Sequence, residues 1–167
     1  MSDTYELYAI RYGHHPRKAA ENFIGGDDHE TDMPLDYFVW AIVGDERTLV
    51  LDTGFDPEVA RRRGRIMTRP IEEGLKAIGV EPSSVKDVVV SHMHYDHAGN
   101  IGAFPNARFH LQDAEMAYCT GRCMCHAPLR QAYSVPDVSE MVAKVFAGRV
   151  AFHDGDDEIA PGVSLHL

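Results

Sequence analysis

Four side chains able to bind a metal fall within six residues: His92, His94, Asp96 and His97 in the run His92-Met93-His94-Tyr95-Asp96-His97. In an extended backbone residues i and i+2 point the same way, so His92 and His94 present two imidazoles to one point. The chain must then turn. Ala98-Gly99-Asn100 supplies small residues for a close helix start, which swings Asp96 and His97 beside the first pair and makes room for two adjacent metal ions. Neutral imidazole and carboxylate are borderline-to-hard donors, suited to Zn²⁺ at about 2.0–2.2 Å and acceptable to Mn, Fe or Co. A single histidine is usually a surface or capping residue, but that bland reading does not account for four donors in six residues. A closed structural zinc site favours cysteine ligands, and no Cys-x-x-Cys pair lies near the motif.

Such a cluster needs a rigid platform. The run Val85, Val88, Val89, Val90 just before it reads as a short strand buried on both faces. Glu6 to Tyr12 reads as a first strand. Tyr37 to Val43 and Thr48 to Leu51 form a hairpin around Gly44-Asp45-Glu46-Arg47. Ile71, Leu75 and Ile78, after Pro70 and before Gly79, have helical spacing. Ala107–Leu111 is a further strand and Asp113–Cys119 a helix. Val138, Met141, Val142 and Val145 mark an amphipathic helix capped by Asp137 with Glu140 three residues on. A strand leads into the turn Phe152-His153-Asp154-Gly155-Asp156, and Val163, Leu165 and Leu167 alternate as a last strand. The class is α/β. Residues 13–35 carry turn formers without a sustained period, a long loop that can serve as a lid or pocket wall.

A chain of 167 residues is one domain with a real core, and its 44% apolar and 25% charged residues exclude disorder. A net charge of −10 argues against nucleic acid as partner. No stretch approaches the roughly 20 apolar residues of a membrane span. The opening Met1-Ser2-Asp3-Thr4-Tyr5-Glu6 lacks the basic and apolar regions of a signal peptide, so the cytoplasm is expected. Cys119, Cys123 and Cys125 are an odd count that suits a reducing compartment. They read as reduced structural or surface cysteines, with a second metal site or redox switch as the alternative. Arg61-Arg62-Arg63-Gly64-Arg65 reads as a solvated helix face, with contact to an anionic group on a substrate or partner as the alternative. Met33, Phe38, Met93, Met116 and Tyr118 are candidates for an apolar acyl pocket.

The histidine motif with Gly99, the valine strand before it and Leu51-Asp52-Thr53-Gly54 upstream resembles the metallo-β-lactamase superfamily of metal-dependent hydrolases. The runs from Ala98 to Ala107, Gln112-Asp113-Ala114-Glu115 and Gly155-Asp156 to Pro161-Gly162-Val163 are similar to the N-acyl homoserine lactonases within it. The resemblance implies a four-layer αβ/βα sandwich with a dinuclear centre of two divalent ions, zinc first. By position His92 and His94 would hold one metal, and Asp96 and His97 the second. Asp52 would orient a ligand imidazole, and Asp96 is also the catalytic candidate. It further implies opening of a lactone or ester, a small-molecule substrate, by hydroxide formed at the metals. No nucleic-acid or membrane partner is expected, and a homodimer is compatible. The family's remaining ligands are a His in a Gly-His turn, a bridging Asp and a last His, downstream of the strand that here ends at Leu167. Residues 1–167 therefore read as one domain cut at its C-terminus, holding mainly the N-terminal half of the sandwich.

Two other readings stay open. Glyoxalase II-like thioester hydrolysis uses the same His-x-His-x-Asp-His pattern. A non-catalytic metal-binding module would need only the four donors present. Flavin-linked diiron relatives place Glu where His94 stands, which sets them apart.

Overall fold

A computed structural model describes residues 4–166. Strand β1 (Tyr5–His15) pairs antiparallel with β2 (Leu35–Gly44), which pairs antiparallel with β3 (Thr48–Leu51). Helix α1 (Pro57–Arg63), the two-residue β4 (Ile66–Met67) and helix α2 (Ile71–Ala77) follow. Next come β5 (Asp87–Val89), β6 (Arg108–Gln112), α3 (Asp113–Thr120), α4 (Ala127–Arg130), α5 (Val135–Phe146) and β7 (Val150–His153). The hairpin of β8 (Asp157–Ala160) and β9 (Val163–Leu165) forms a separate two-stranded sheet.

The main sheet has seven strands in the order β4-β1-β2-β3-β5-β6-β7. From β3 through β7 every pairing is parallel, so these strands all end at one edge. Period two places Ile10, Tyr12, Val39, Ala41, Val50, Val88 and Phe109 on the face that shares a core with Ile71, Leu75 and Met141 of the helices. Among the described residues no helix covers the opposite face. There Leu7, Phe38 and Trp40 are 71%, 40% and 44% exposed, and β9 brings Leu165 beside Leu51, Val89 and His110. The described residues thus form a mixed seven-stranded sheet with its helical layer on one face and a separate two-stranded hairpin.

Several expectations are corrected. The 13–35 loop is shorter at both ends, because β1 runs to His15 and β2 starts at Leu35; a 3₁₀ turn at Ala19–Glu21 and a Lys18–Asp32 bridge organise what remains. Helix α1 was not separately drawn from the sequence, although its signals are there. Asp56 Oδ1 accepts from the Val59 amide at 2.8 Å, Pro57 opens the helix and Gly64 closes it with φ 66°. The last long helix starts a turn earlier than expected: Ser134 is its N-cap, and Asp137 lies buried inside the first turn. Strand β8 was also missed. Leu167, the end of the expected last strand, and Met1 to Asp3 of the leader argument lie outside the described residues.

Candidate metal centre

Parallel neighbours decide where the motif sits. Leu51 of β3 pairs with Val89 of β5, so the loops that follow, 52–54 and 90–100, leave the same sheet edge side by side. The Asp52 amide donates to Val89 O at 2.8 Å, and Asp52 then adopts φ 64°, a left-handed conformation in which Asp is better tolerated than most residues. The turn it makes is the floor of the motif. Both Thr53 donors, N and Oγ1, reach His97 O at 2.7 and 3.0 Å, the Gly99 amide donates to Gly54 O at 2.7 Å, and Asn100 Nδ2 donates to Thr53 O at 2.8 Å. Gly99 is needed for this closeness, because a Cβ there would lie 2.7 Å from Gly54 O and 2.8 Å from Tyr95 O.

On this floor the imidazoles cluster. The ring centres of His92 and His94 are 4.4 Å apart, and those of His92 and His97 are 3.9 Å apart. Asp96 Oδ2 stands 3.7 Å from His97 Nε2. Burial, helped by neighbouring His97 and His94, lowers His92 to about 4, and burial also lowers His94. Both rings are therefore neutral near pH 7, the form that donates a lone pair to a metal. His97 differs. Burial pulls it down, but the hydrogen bond and charge of Asp52, with the charge of Asp96, outweigh burial and raise it. Its Nδ1 lies 2.7 Å from Asp52 Oδ2, and the other Asp52 oxygen accepts from the Ser91 amide at 2.8 Å. A proton fixed on Nδ1 leaves Nε2 free to act as ligand.

The expected residues Asp52, His92, His94, Asp96 and His97 are thus all brought to one place. The site is neighbouring donors rather than a closed cage: among the described residues no three His, Cys, Asp or Glu side chains already converge as a metal-holding group. Two neutral imidazoles, a third with its far nitrogen tied to a carboxylate, and the Asp96 carboxylate are a donor set that fits a divalent cation.

Sequence reasoning missed the supports around this set. Tyr12, buried in the core, donates its OH to Asp96 O at 2.6 Å. Glu115 Oε1 accepts from the Met93 amide at 2.7 Å and from Tyr133 OH at 3.1 Å, and the Tyr133 ring stands edge-on to His94 at 4.8 Å. Tyr12 ends the expected first strand and Glu115 lies in the run after Gln112, but nothing in the sequence ties either of them, or Tyr133, to the motif. The other histidines go elsewhere: His110 and His153 bond each other at 3.0 Å and reach Asp87 and Asp157, and His166 pairs with Asp156. None of Met33, Phe38, Met93, Met116 and Tyr118 lines the apolar cavity of about 550 Å³ next to the site; Cys119, Met124, Ala127, Tyr133 and Val138 do. Met93 is instead fully buried core, and Phe38 points from the far sheet face. The three cysteines are free thiols, and burial raises Cys119 to about 11, which makes it a packing residue rather than a reactive one.

Comparison with known proteins places the chain in a family. Residues 33–165 match the family model of the metallo-beta-lactamase superfamily. The N-acyl homoserine lactonase AttM of Azorhizobium caulinodans is 52% identical over 44 residues, which cover 26% of this chain and 17% of that protein. An N-acyl homoserine lactonase of Bacillus cereus is 26% identical over 147 residues, covering 80% of this chain and 53% of the relative. The chain therefore spans at most about half the length of these curated relatives. Among solved structures, an N-acyl homoserine lactone hydrolase with the product N-hexanoyl-L-homoserine bound at its catalytic metal centre superposes with a TM-score of 0.72 at 22% identity, over 99% of this chain and 66% of that one.

Proposed function

Since the chain belongs to the metallo-beta-lactamase superfamily, we propose that it acts in a metal-dependent hydrolase that opens the ring of an N-acyl homoserine lactone or a closely related lactone. The observation that carries this reading is the clustering of His92, His94, Asp96 and His97 at the open end of parallel strands, with Asp52 holding the proton on His97 Nδ1. The match along 80% of the chain to a lactonase supports the substrate class. Divalent ions, zinc first, would be held by the four donors and, when bound, supply Lewis acidity and lower the pKa of water. The chain's own contribution is positional. His92 and His94 stay neutral, Asp52 selects the tautomer of His97, and the 52–54 turn holds the motif backbone in place. A reducing compartment such as the cytoplasm suits three unpaired cysteines.

The test is a panel of N-acyl homoserine lactones and glutathione thioesters, offered to the complete, metal-loaded protein and followed by product chromatography. Lactone opening that exceeds a zinc-only blank and disappears on chelation supports the reading. Thioester cleavage without lactone opening moves the protein to the glyoxalase II type, and no rise with either substrate overturns the hydrolase.

A further inference from the structure

The basic run at the end of α1 divides in two. Arg61 and Arg62 are exposed, as a solvated helix face requires, but Arg63 and Arg65 are half-buried against the metal motif. Arg63 lays its guanidinium over the ring of Tyr95, 3.9 Å from the centre, while Phe55 stacks near that ring at 5.9 Å. Tyr95 is itself buried, and it separates His94 from Asp96 in the sequence. Arg63 Nη2 also donates to two backbone oxygens, Gln131 O at 3.0 Å and Tyr133 O at 3.3 Å. Those two residues flank Ala132, whose carbonyl accepts from the Tyr95 amide at 2.9 Å, and Tyr133 forms a β-bridge with His94. Arg65 completes the grip, with Nε donating to Tyr95 OH at 3.0 Å and Nη1 to Arg63 O at 2.7 Å.

We propose that Arg63 is a positioning residue for the metal centre: by clamping Tyr95 and residues 131–133 together it sets the orientation of His94. This rests on the metal-centre reading above. The geometry calls for a guanidinium rather than any cation, because a planar fork stacks on the tyrosine and bridges two carbonyls at once, which an ammonium on a flexible stem does not reproduce. Removal of Arg63 leaves the carbonyls of 131 and 133 without this donor, and the segment packed on His94 loosens. Residues that orient a ligand from outside the coordination sphere typically change metal affinity by about 10–100-fold.

The experiment is a zinc titration of the protein and of Arg63→Lys, Arg63→Ala and Arg61→Met against a competing chelator, with the melting temperature of each metal-free protein recorded. A drop of about tenfold or more in zinc affinity is expected for Arg63→Lys although its charge is kept, with Arg61→Met unchanged and ethylguanidinium at millimolar concentration restoring affinity to Arg63→Ala. Chemical rescue at constant melting temperature is the readout that a merely structural role would not give. Parent-like zinc affinity in Arg63→Lys and Arg63→Ala overturns the proposal alone, as does an affinity loss that follows the melting temperature and is not rescued. A parent protein that binds no zinc removes the metal reading and this inference with it.

Discussion

Asp52→Asn separates the chemistry of the site from its architecture. Asp52 is buried and accepts from the Ser91 amide at 2.8 Å, from Ser91 Oγ at 3.0 Å and from His97 Nδ1 at 2.7 Å. In the variant one oxygen still serves the Ser91 amide, but an NH₂ group now faces His97 Nδ1. The imidazole then accepts there and carries its proton on Nε2, the nitrogen that must face a metal. Restoring the productive tautomer forfeits a hydrogen bond to a charged group, on the order of 1.5–3 kcal/mol, which corresponds to about 10–100-fold weaker zinc binding. The fold should barely respond, because Asn accepts the φ of 64° that Asp52 adopts. Asp52→Ala behaves oppositely. It removes the acceptor of the Ser91 amide, at about 1 kcal/mol, and puts a Cβ without a local polar partner in the left-handed region, at about 1–2 kcal/mol. Urea denaturation of the metal-free proteins and zinc competition with a chelating dye measure the two effects separately. If Asp52→Asn binds zinc as tightly as the parent, the claim that Asp52 sets the His97 tautomer is wrong.

Three further outcomes follow from particular contacts. Burial pushes Asp137 up to about 6, so its acid form is favoured in the fold; stability falls as pH rises from about 4 to 6 and stays lower above that. Asp137→Asn should remove this slope and stabilise the protein at pH 7–8 by on the order of 1–3 kcal/mol, and parallel urea midpoints for both proteins from pH 4 to 8 would refute it. Gly99→Ala places a Cβ within 2.7–2.9 Å of Gly54 O, Tyr95 O and Phe55 Cα, all backbone atoms that cannot rotate away. A loss of about 2 kcal/mol or more is expected by circular dichroism, and an unchanged melting curve would show that the motif loop is not pinned to the 52–54 turn. Tyr12→Phe leaves Asp96 O without its 2.6 Å donor, so about 1 kcal/mol of stability should go in the same measurement, with no loss if that carbonyl is otherwise satisfied.

What the sequence discloses follows from how local the determinants are. His92, His94, Asp96 and His97 are contiguous and follow a valine strand, so their convergence is readable from period two and a small-residue turn. Asp52, 45 positions from His97, could be joined to it only through a family resemblance; the structure supplies the reason, a parallel β3–β5 pairing that periodicity does not disclose. Arg63, Tyr12 and Tyr133 reach the motif through tertiary packing, and their neighbours in sequence carry no trace of it. Helix α1 was legible in principle from Asp56-Pro57 and Gly64, but its seven residues give too little apolar periodicity to stand out. The Asp137 error has a similar origin: an acidic residue before an apolar stripe looks like a cap, while Ser134-Val135-Pro136 three residues earlier is where the helix begins. The opposite sheet face was beyond reach, since an exposed Trp40 and a buried one look alike in a strand of aromatics.

Whether the histidine loop is a metal centre can be measured by elemental analysis of the protein purified without chelators and then equilibrated with zinc, beside a His92→Ala/His94→Ala double variant. Zinc should be retained by the parent and largely absent from the variant, with the metal-free fold of both intact by circular dichroism. Equal zinc in parent and variant would contradict it, because the metal would then be held by residues other than these.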